Sequence, residues 1–135
     1  MRGRRKTLKI SEAEWSIMMA LWDGCEKKGE GLTLGEITSA LNESTGWNST
    51  TIRTLTIRLA EKDAVEIDKS SGIYKYSPKT TKAEAVRVEV DSFVKRVFDG
   101  SASELMAYLA REGNLTGEEK RDLIEVLGQN EEPQA

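Results

Sequence analysis

Residues 47–62, Trp-Asn-Ser-Thr-Thr-Ile-Arg-Thr-Leu-Thr-Ile-Arg-Leu-Ala-Glu-Lys, constrain this chain more than any other stretch. Ile52, Leu55 and Leu59 recur at i, i+3 and i+7, the spacing that lines one side of an α-helix and turns it toward a core. The opposite side holds Thr50, Thr54 and Ile57, with Arg53 along one edge and Thr51 and Arg58 along the other. Directly afterwards Val65-Glu-Ile-Asp-Lys69 alternates as a half-buried strand. Ser70-Ser-Gly72 supplies a turn, Ile73-Tyr-Lys-Tyr-Ser77 returns, and Pro78 ends the unit.

Two further helices precede this pattern. Ser11-Glu-Ala-Glu14 is a capping box, in which a serine accepts the amide three residues on and a glutamate reaches back. The helix it opens is expected to run to about Trp22, to bury Trp15, Met18, Met19 and Trp22, and to stop at Asp23-Gly24. Gly29-Glu-Gly31 reads as a loop and Leu32 as a short strand. A second box, Thr33-Leu-Gly-Glu36, starts a helix with Leu34, Ile37, Ala40 and Leu41 on its apolar side, broken at Gly46. Asn48 or Ser49 caps the third helix and Asp63-Ala64 closes it. Thr56 falls on the core-facing side, where its hydroxyl can bond back to the Ile52 carbonyl.

From Thr81 the pattern is helical throughout. Ala85, Val88, Phe93, Val94 and Val97 mark a long amphipathic helix that ends at Asp99-Gly100. Capping boxes at Ser101-Ala-Ser-Glu104 and Thr116-Gly-Glu-Glu119 open two more helices, one with Leu105, Tyr108 and Leu109, the other with Leu123, Ile124 and Leu127. Gly128 is expected just past the last helix, and residues 129–135 form a tail that frays. A helical segment of this size has no obvious way to bury such stripes within itself. It can pair with a second copy or fold back on the preceding domain, and pairing is favoured. Val88, Phe93, Val97, Leu105, Leu109, Leu123, Ile124 and Leu127 are the candidates for that interface.

Charge is distributed unevenly along the chain. Residues 1–82 hold 14 Lys and Arg against 11 Asp and Glu, and residues 83–135 hold 6 against 12. A polyanionic partner would therefore meet the first part, although an acidic second half serves solubility equally well. Residues 1–9, MRGRRKTLK, form a basic arm without apolar periodicity. No apolar run approaches a membrane span and no signal-peptide pattern opens the sequence, so a cytoplasmic protein without membrane insertion is expected. The chain has no histidine and a single Cys25. That excludes an internal disulfide and a classical zinc or His-dependent catalytic site, and no cofactor, metal or catalytic residues are assigned. Trp15, Trp22 and Trp47 at helical spacing read as core rather than as a stacking platform for single strands.

Three helices followed by a hairpin, the third with threonine and arginine outward, make a winged helix-turn-helix that lays its third helix in a DNA major groove. The expected fold is mainly α with a small β-hairpin wing. A winged-helix DNA-binding domain with its basic arm occupies residues 1–78, a helical dimerisation domain 79–128, and a flexible tail 129–135. Threonines bond phosphates or base edges and offer a methyl to thymine, arginine forks onto guanine or grips phosphate, and the free amides of Thr50 and Thr51 suit a phosphate. The candidate set is Thr33, Asn48, Thr50, Thr51, Arg53, Thr54, Ile57, Arg58, Lys69 and Lys75. Taken alone, the face of the third helix is also compatible with an ordinary solvated surface. Ile57 fits either contact with thymine methyls or an isolated exposed apolar residue.

The order Ile10-Ser11-x-Ala13-Glu14-Trp15-x-x-Met18, Leu21-Trp22, Glu36-Ile37, Thr51-Ile52-Arg53-Thr54-Leu55 with Arg58-Leu59, and Ile73-Tyr74-x-Tyr76-Ser77 resembles the penicillinase-repressor family, the BlaI/MecI group that also contains copper-responsive repressors. The resemblance spans roughly residues 9–127. It implies a homodimeric winged-helix repressor on double-stranded palindromic operators with TACA/TGTA-like half-sites, and a C-terminal dimerisation domain of three helices. In the β-lactam branch it implies a membrane sensor-protease, after whose action the repressor is cleaved and leaves DNA. Thr51, Arg53 and Thr54 match the family's recognition-helix positions. Thr50 stands where staphylococcal-type repressors carry lysine, and the Thr56-Ile57 order is reversed relative to theirs. Their scissile Asn-Phe bond would fall at Tyr108-Leu109, where both residues differ, and the cysteine cluster of the copper branch is missing. The alternatives are a winged-helix module that binds a protein and never DNA, or a repressor of the same family that answers an unrelated signal.

Overall fold

The structure, a computed structural model, describes residues 9–113 and 115–129. The basic arm ahead of Lys9 and the tail beyond Gln129 lie outside the described residues. Two compact units divide between Glu89 and Val90. In the first, α1 (Glu12–Lys28), α2 (Leu34–Thr45) and α3 (Ser49–Glu61) pack on one another ahead of an antiparallel hairpin, β1 (Val65–Asp68) and β2 (Lys75–Pro78). α4 (Lys82–Val97) begins in this unit and ends in the second, which continues with α5 (Ala102–Arg111) and α6 (Gly117–Gln129).

The hairpin pairs Val65 with Pro78 and Asp68 with Lys75. Leu32 adds an antiparallel bridge to Tyr76, with amide-to-carbonyl bonds of 2.9 and 2.8 Å. With α3 packed on β1 and α1 on β2, the unit has the mainly α winged-helix arrangement that the sequence predicts.

Local chemistry sets the helix starts. Ser11 Oγ accepts the Glu14 amide at 3.1 Å while Glu14 Oε1 accepts the Ser11 amide at 2.9 Å. Thr33 and Glu36 repeat the box at 3.2 and 2.9 Å, and Asn48, rather than Ser49, caps α3. Each bond satisfies an amide that has no partner inside the first helical turn.

Two expectations for α1 are corrected. The helix does not stop at Asp23-Gly24 but runs to Lys28 and ends at Gly29, whose φ of 84° is a left-handed conformation open to glycine at no steric cost. Gly24 instead allows close approach, since a Cβ there would lie 2.6 Å from Leu32 Cδ1. The buried side of α1 is Ile17, Met18 and Leu21, whereas Met19, one residue and 100° further round, is 45% exposed. Trp15, Trp22 and Trp47 are half-buried against the core, and the Trp22 indole donates to the Thr80 carbonyl at 3.0 Å. Ala40, expected on the apolar side of α2, is exposed; Ile37 is the residue of α2 that is fully buried.

One cluster joins Ile10, Ile17, Met18, Leu21, Leu32, Ile37, Ile52, Leu55, Leu59, Ala64, Val65, Tyr76 and Ala85. Its larger aliphatic members stabilise the unit by about 1.5–3 kcal/mol each relative to exposure. A carboxylate is set beside it. Glu14 is 2% exposed and is bonded by Lys62 Nζ, which also donates to the Lys9 carbonyl at 2.6 Å. Burial pushes the Glu14 carboxyl up, but hydrogen bonds from Lys62 and the Ser11 amide outweigh it and hold the group below its ordinary range.

The second unit buries little. Val94 is 9% exposed, Phe93 and Phe98 meet edge to face at 5.9 Å, and Phe98 and Tyr108 lie 6.3 Å apart. Ser101 Oγ accepts the Glu104 amide, and Thr116 and Glu119 form a full capping box. Gly128, expected beyond the helix, lies within α6. A glycine costs an exposed helix about 1 kcal/mol, too little to end it.

Glu14→Gln is expected to lower unfolding free energy at pH 7 by about 1–2 kcal/mol, measured by urea denaturation. The depressed carboxyl contributes stability above its ordinary value of 4.5, and that contribution is lost as pH falls through the lower folded-state value. The gap between wild type and variant should therefore close in acid. A gap that stayed constant to pH 3 would contradict the assignment.

Candidate nucleic-acid interface

The buried side of α3 decides which residues face outward. Ile52, Thr56 and Leu59 are fully buried and Leu55 nearly so. The Thr56 hydroxyl donates to the Ile52 carbonyl at 2.7 Å, so its polar atom enters the core already partnered. Thr50, Thr51, Arg53, Thr54 and Arg58 are left exposed together, with Ile57 half-buried among them. The Thr54 hydroxyl donates to the Thr50 carbonyl at 3.1 Å and its oxygen can still accept. This side thus combines hydroxyl donors and acceptors, methyl groups and two guanidinium forks, which is the chemistry of base-edge and phosphate contacts.

At the start of α3 one expectation changes. The Thr51 amide is not free for a phosphate, because it donates to the Asn48 side-chain oxygen at 3.0 Å. Thr33, half-buried at the start of α2, likewise has its hydroxyl engaged by the Glu36 amide.

The two hairpin lysines differ. Lys69 is exposed, its ammonium 5.3 Å from the centroid of the Tyr74 ring. Lys75 is half-buried and pairs with Glu30 at 3.1 Å; Glu30 lies 3.9 Å from Lys28, which bonds Glu36 at 2.7 Å. The Lys28 ammonium and the Thr33 amide hold the Glu36 carboxyl below its usual value. The network ties β2 to the end of α1 and the start of α2. Burial pushes the Tyr76 phenol up, and the Arg53 guanidinium acts against it from α3.

Five of the eight candidates for pairing are exposed large apolar residues. Val88 is 39%, Phe93 36%, Val97 54%, Ile124 68% and Leu127 51% exposed. Leu105, Leu109 and Leu123 are half-buried. Val86, Val90 and Val126 share this exposure and were not foreseen, although the i, i+4 spacing of Val86 and Val90 was an available signal. The Tyr108–Leu109 peptide lies inside α5, whose Glu112 amide bonds the Tyr108 carbonyl at 2.9 Å. A protease would have to open that last turn first. Among the described residues no helix is long and apolar enough to cross a membrane.

The model of the penicillinase repressor family matches residues 10–129. The chain belongs to this family. The match starts at Ile10, the first residue of the core cluster, and ends with the last residue of α6. Among relatives, the penicillinase repressor of Bacillus licheniformis is 26% identical over 123 residues, which cover 91% of this chain and 92% of that protein. The penicillinase repressor of Staphylococcus aureus is 28% identical over 122 residues, covering 90% and 93%. The methicillin resistance regulatory protein MecI of Mammaliicoccus sciuri is 25% identical over 122 residues. A solution structure of the monomeric form of Bacillus licheniformis BlaI in complex with the blaP half-operator aligns with a TM-score of 0.46 at 26% identity, covering 56% of this chain and 87% of that one.

Because Asn48 presets the first turn of α3, Asn48→Ala should cost about 1 kcal/mol of stability, read as a lower thermal midpoint. Asn48→Asp, which keeps the accepting oxygen, should restore it. A variant as stable as wild type would mean that the cap does not hold the helix end.

Proposed function

We propose that this penicillinase-repressor family member is a sequence-specific DNA-binding transcriptional repressor that acts in the cytoplasm as a homodimer on a palindromic operator. One observation carries the reading: the outer side of α3, free of the core, sets Arg53 and Arg58 among Thr50, Thr51 and Thr54. Arg53 and Thr54 read base edges, Thr50 and Thr51 take phosphate oxygens through their hydroxyls, Arg58 grips the backbone, and Lys69 approaches it from the hairpin. Relatives named as penicillinase repressors match this chain over 90% or more of its length, which supports repression rather than activation.

The exposed apolar residues of the second unit support pairing. Helices whose apolar side chains stay 36–68% exposed in one copy cover them by meeting the same side of another. A two-fold dimer presents two copies of α3 to successive major-groove faces about one helical turn apart, which matches a palindrome.

A gel shift on DNA from upstream of the gene, with scrambled duplex as competitor, tests the reading. Arg53→Ala should weaken operator binding by about tenfold to a hundredfold while leaving non-specific binding nearly unchanged, as for loss of a base-reading fork worth about 1–3 kcal/mol. Wild-type affinity in that variant would sink the role of Arg53. A chain that never prefers its upstream DNA over the scrambled duplex would instead favour a protein-binding winged helix. Ile124→Asp should convert dimer to monomer in sedimentation equilibrium, since burying one carboxylate per subunit in an apolar contact is costly. An unchanged mass would remove α6 from the interface.

A further inference from the structure

Beside the hairpin, Glu30 works against the attraction of a polyanion. It engages Lys75 at 3.1 Å and adds a negative charge of its own. Both effects weaken the pull on phosphates. Its bonds show a different use. Glu36 Oε1 accepts the Thr33 amide at 2.9 Å within the capping box of α2, so that carboxylate is held by backbone. The Lys28 ammonium donates to the same oxygen at 2.7 Å and lies 3.9 Å from Glu30 Oε2, while Glu30 Oε1 takes Lys75. The Lys28 and Lys75 side chains are each only 29% exposed. An isolated surface ion pair holds little, whereas a network of charges anchored on a fixed group restrains its members.

The backbone next to Glu30 grips the same strand. Leu32 bridges to Tyr76, and a Cβ at Gly31 would lie 3.1 Å from the Tyr76 carbonyl oxygen and 3.2 Å from Lys75 Cβ. Residues 30–32 thus hold β2 by ion pair, close approach and backbone bonds in succession. Lys75 carries that hold to the hairpin tip. It opens β2 opposite Asp68, the last residue of β1, and Lys69 and Tyr74 come next outward. The tip is braced on this pair. The Ser70 amide and hydroxyl donate to the Asp68 carboxylate at 2.9 and 2.7 Å, and the Gly72 amide donates to the Lys69 carbonyl at 3.2 Å. The exposed Lys69 therefore rides on a closed turn whose base is tethered through Glu30 to α1 and α2.

We infer that Glu30 and Lys75 are positioning residues for DNA binding: they fix the hairpin so that Lys69 meets the phosphate backbone beside α3, and Lys75 itself touches no phosphate. The inference rests on the DNA-binding reading above. It makes an acid a contributor to affinity. Charge alone and positioning predict opposite signs for its removal. Loss of a carboxylate near a polyanion strengthens binding if only charge matters, and weakens binding if the carboxylate holds the hairpin.

The test compares full-length wild type with Glu30→Gln, Lys75→Gln and Lys69→Gln, and with each of the first two combined with Lys69→Gln. Binding to a mixed-sequence duplex of about 30 bp is followed by fluorescence anisotropy between about 50 and 200 mM NaCl. All three positions lie outside the core, so circular dichroism should be unchanged at a temperature well below every thermal midpoint. Lys69→Gln should make the log–log salt slope shallower by about 0.9 per chain, the share of one phosphate. Glu30→Gln and Lys75→Gln should each weaken binding by about threefold to tenfold at about 100 mM salt, as for loss of that one contact. In the Lys69→Gln background neither should cause a further loss, a dependence that a mere fall in stability would not produce. Glu30→Gln binding as tightly as wild type, or more tightly, would overturn the inference and leave Glu30 as a mask over Lys75. A further drop of about 0.9 in slope when Lys75→Gln is added to Lys69→Gln would put Lys75 on a phosphate and overturn it as well. A Lys69→Gln slope equal to wild type would remove the hairpin contact and the inference with it, leaving α3 as reader. A wild-type chain without salt-dependent affinity for any duplex would overturn the DNA-binding reading itself.

Discussion

Ile52, Leu55, Thr56 and Leu59 enter the same core region as Ile17, Met18, Leu21 and Ile37, and that shared burial fixes the azimuth of α3. Once those four positions are inward, helical geometry sends Thr50, Thr51, Arg53, Thr54 and Arg58 outward. The other supports act on the same element. Asn48 sets its first turn, Lys62 ties its last turn to α1 through Glu14, and β1 packs along it. The outer face is thereby presented by a helix packed on the core rather than by a loop, the kind of support that holds a site's geometry.

The second unit follows a different economy. α5 and α6 are well-formed helices with capped starts, yet among the described residues none of theirs is buried. Helices of ten and thirteen residues are marginal in water unless an apolar side is covered. The first unit has a core that closes on itself; the second leaves Val97, Ile124, Val126 and Leu127 at least half exposed.

How much of this was legible in the sequence depended on the range of the interaction involved. The boxes at Ser11, Thr33 and Thr116 involve residues three apart, and each forms where the pattern placed it. The inward stripe of α3 is a periodic signal and was equally readable, including the back-bond of Thr56. Gly24 was misread because its reason lies in Leu32 packed against it, a tertiary contact that looks locally like a stop signal. Met19 was misassigned because the inward side of α1 runs through Ile17, Met18 and Leu21, about one residue round from the stripe expected through Trp15, Met18, Met19 and Trp22. The Glu14–Lys62 pair joins residues 48 apart, beyond the reach of any local pattern. At the candidate interface, the exposure of Thr50, Thr51, Arg53, Thr54 and Arg58 was readable; that Ile57 is half-buried, that Lys75 is held by Glu30 and the Thr51 amide by Asn48 was not.

The division of α3 into an inner and an outer side has a consequence for how such a protein changes over generations. Substitutions at exposed positions such as Thr50, Arg53 or Arg58 ordinarily shift stability by less than about 0.5 kcal/mol, because the core does not depend on them. A duplicated copy of this gene could drift toward a new target sequence residue by residue without passing through an unfolded intermediate. Thr56 has no such freedom: a bulkier or unpartnered side chain there would disturb the scaffold that every version of the outer face must share.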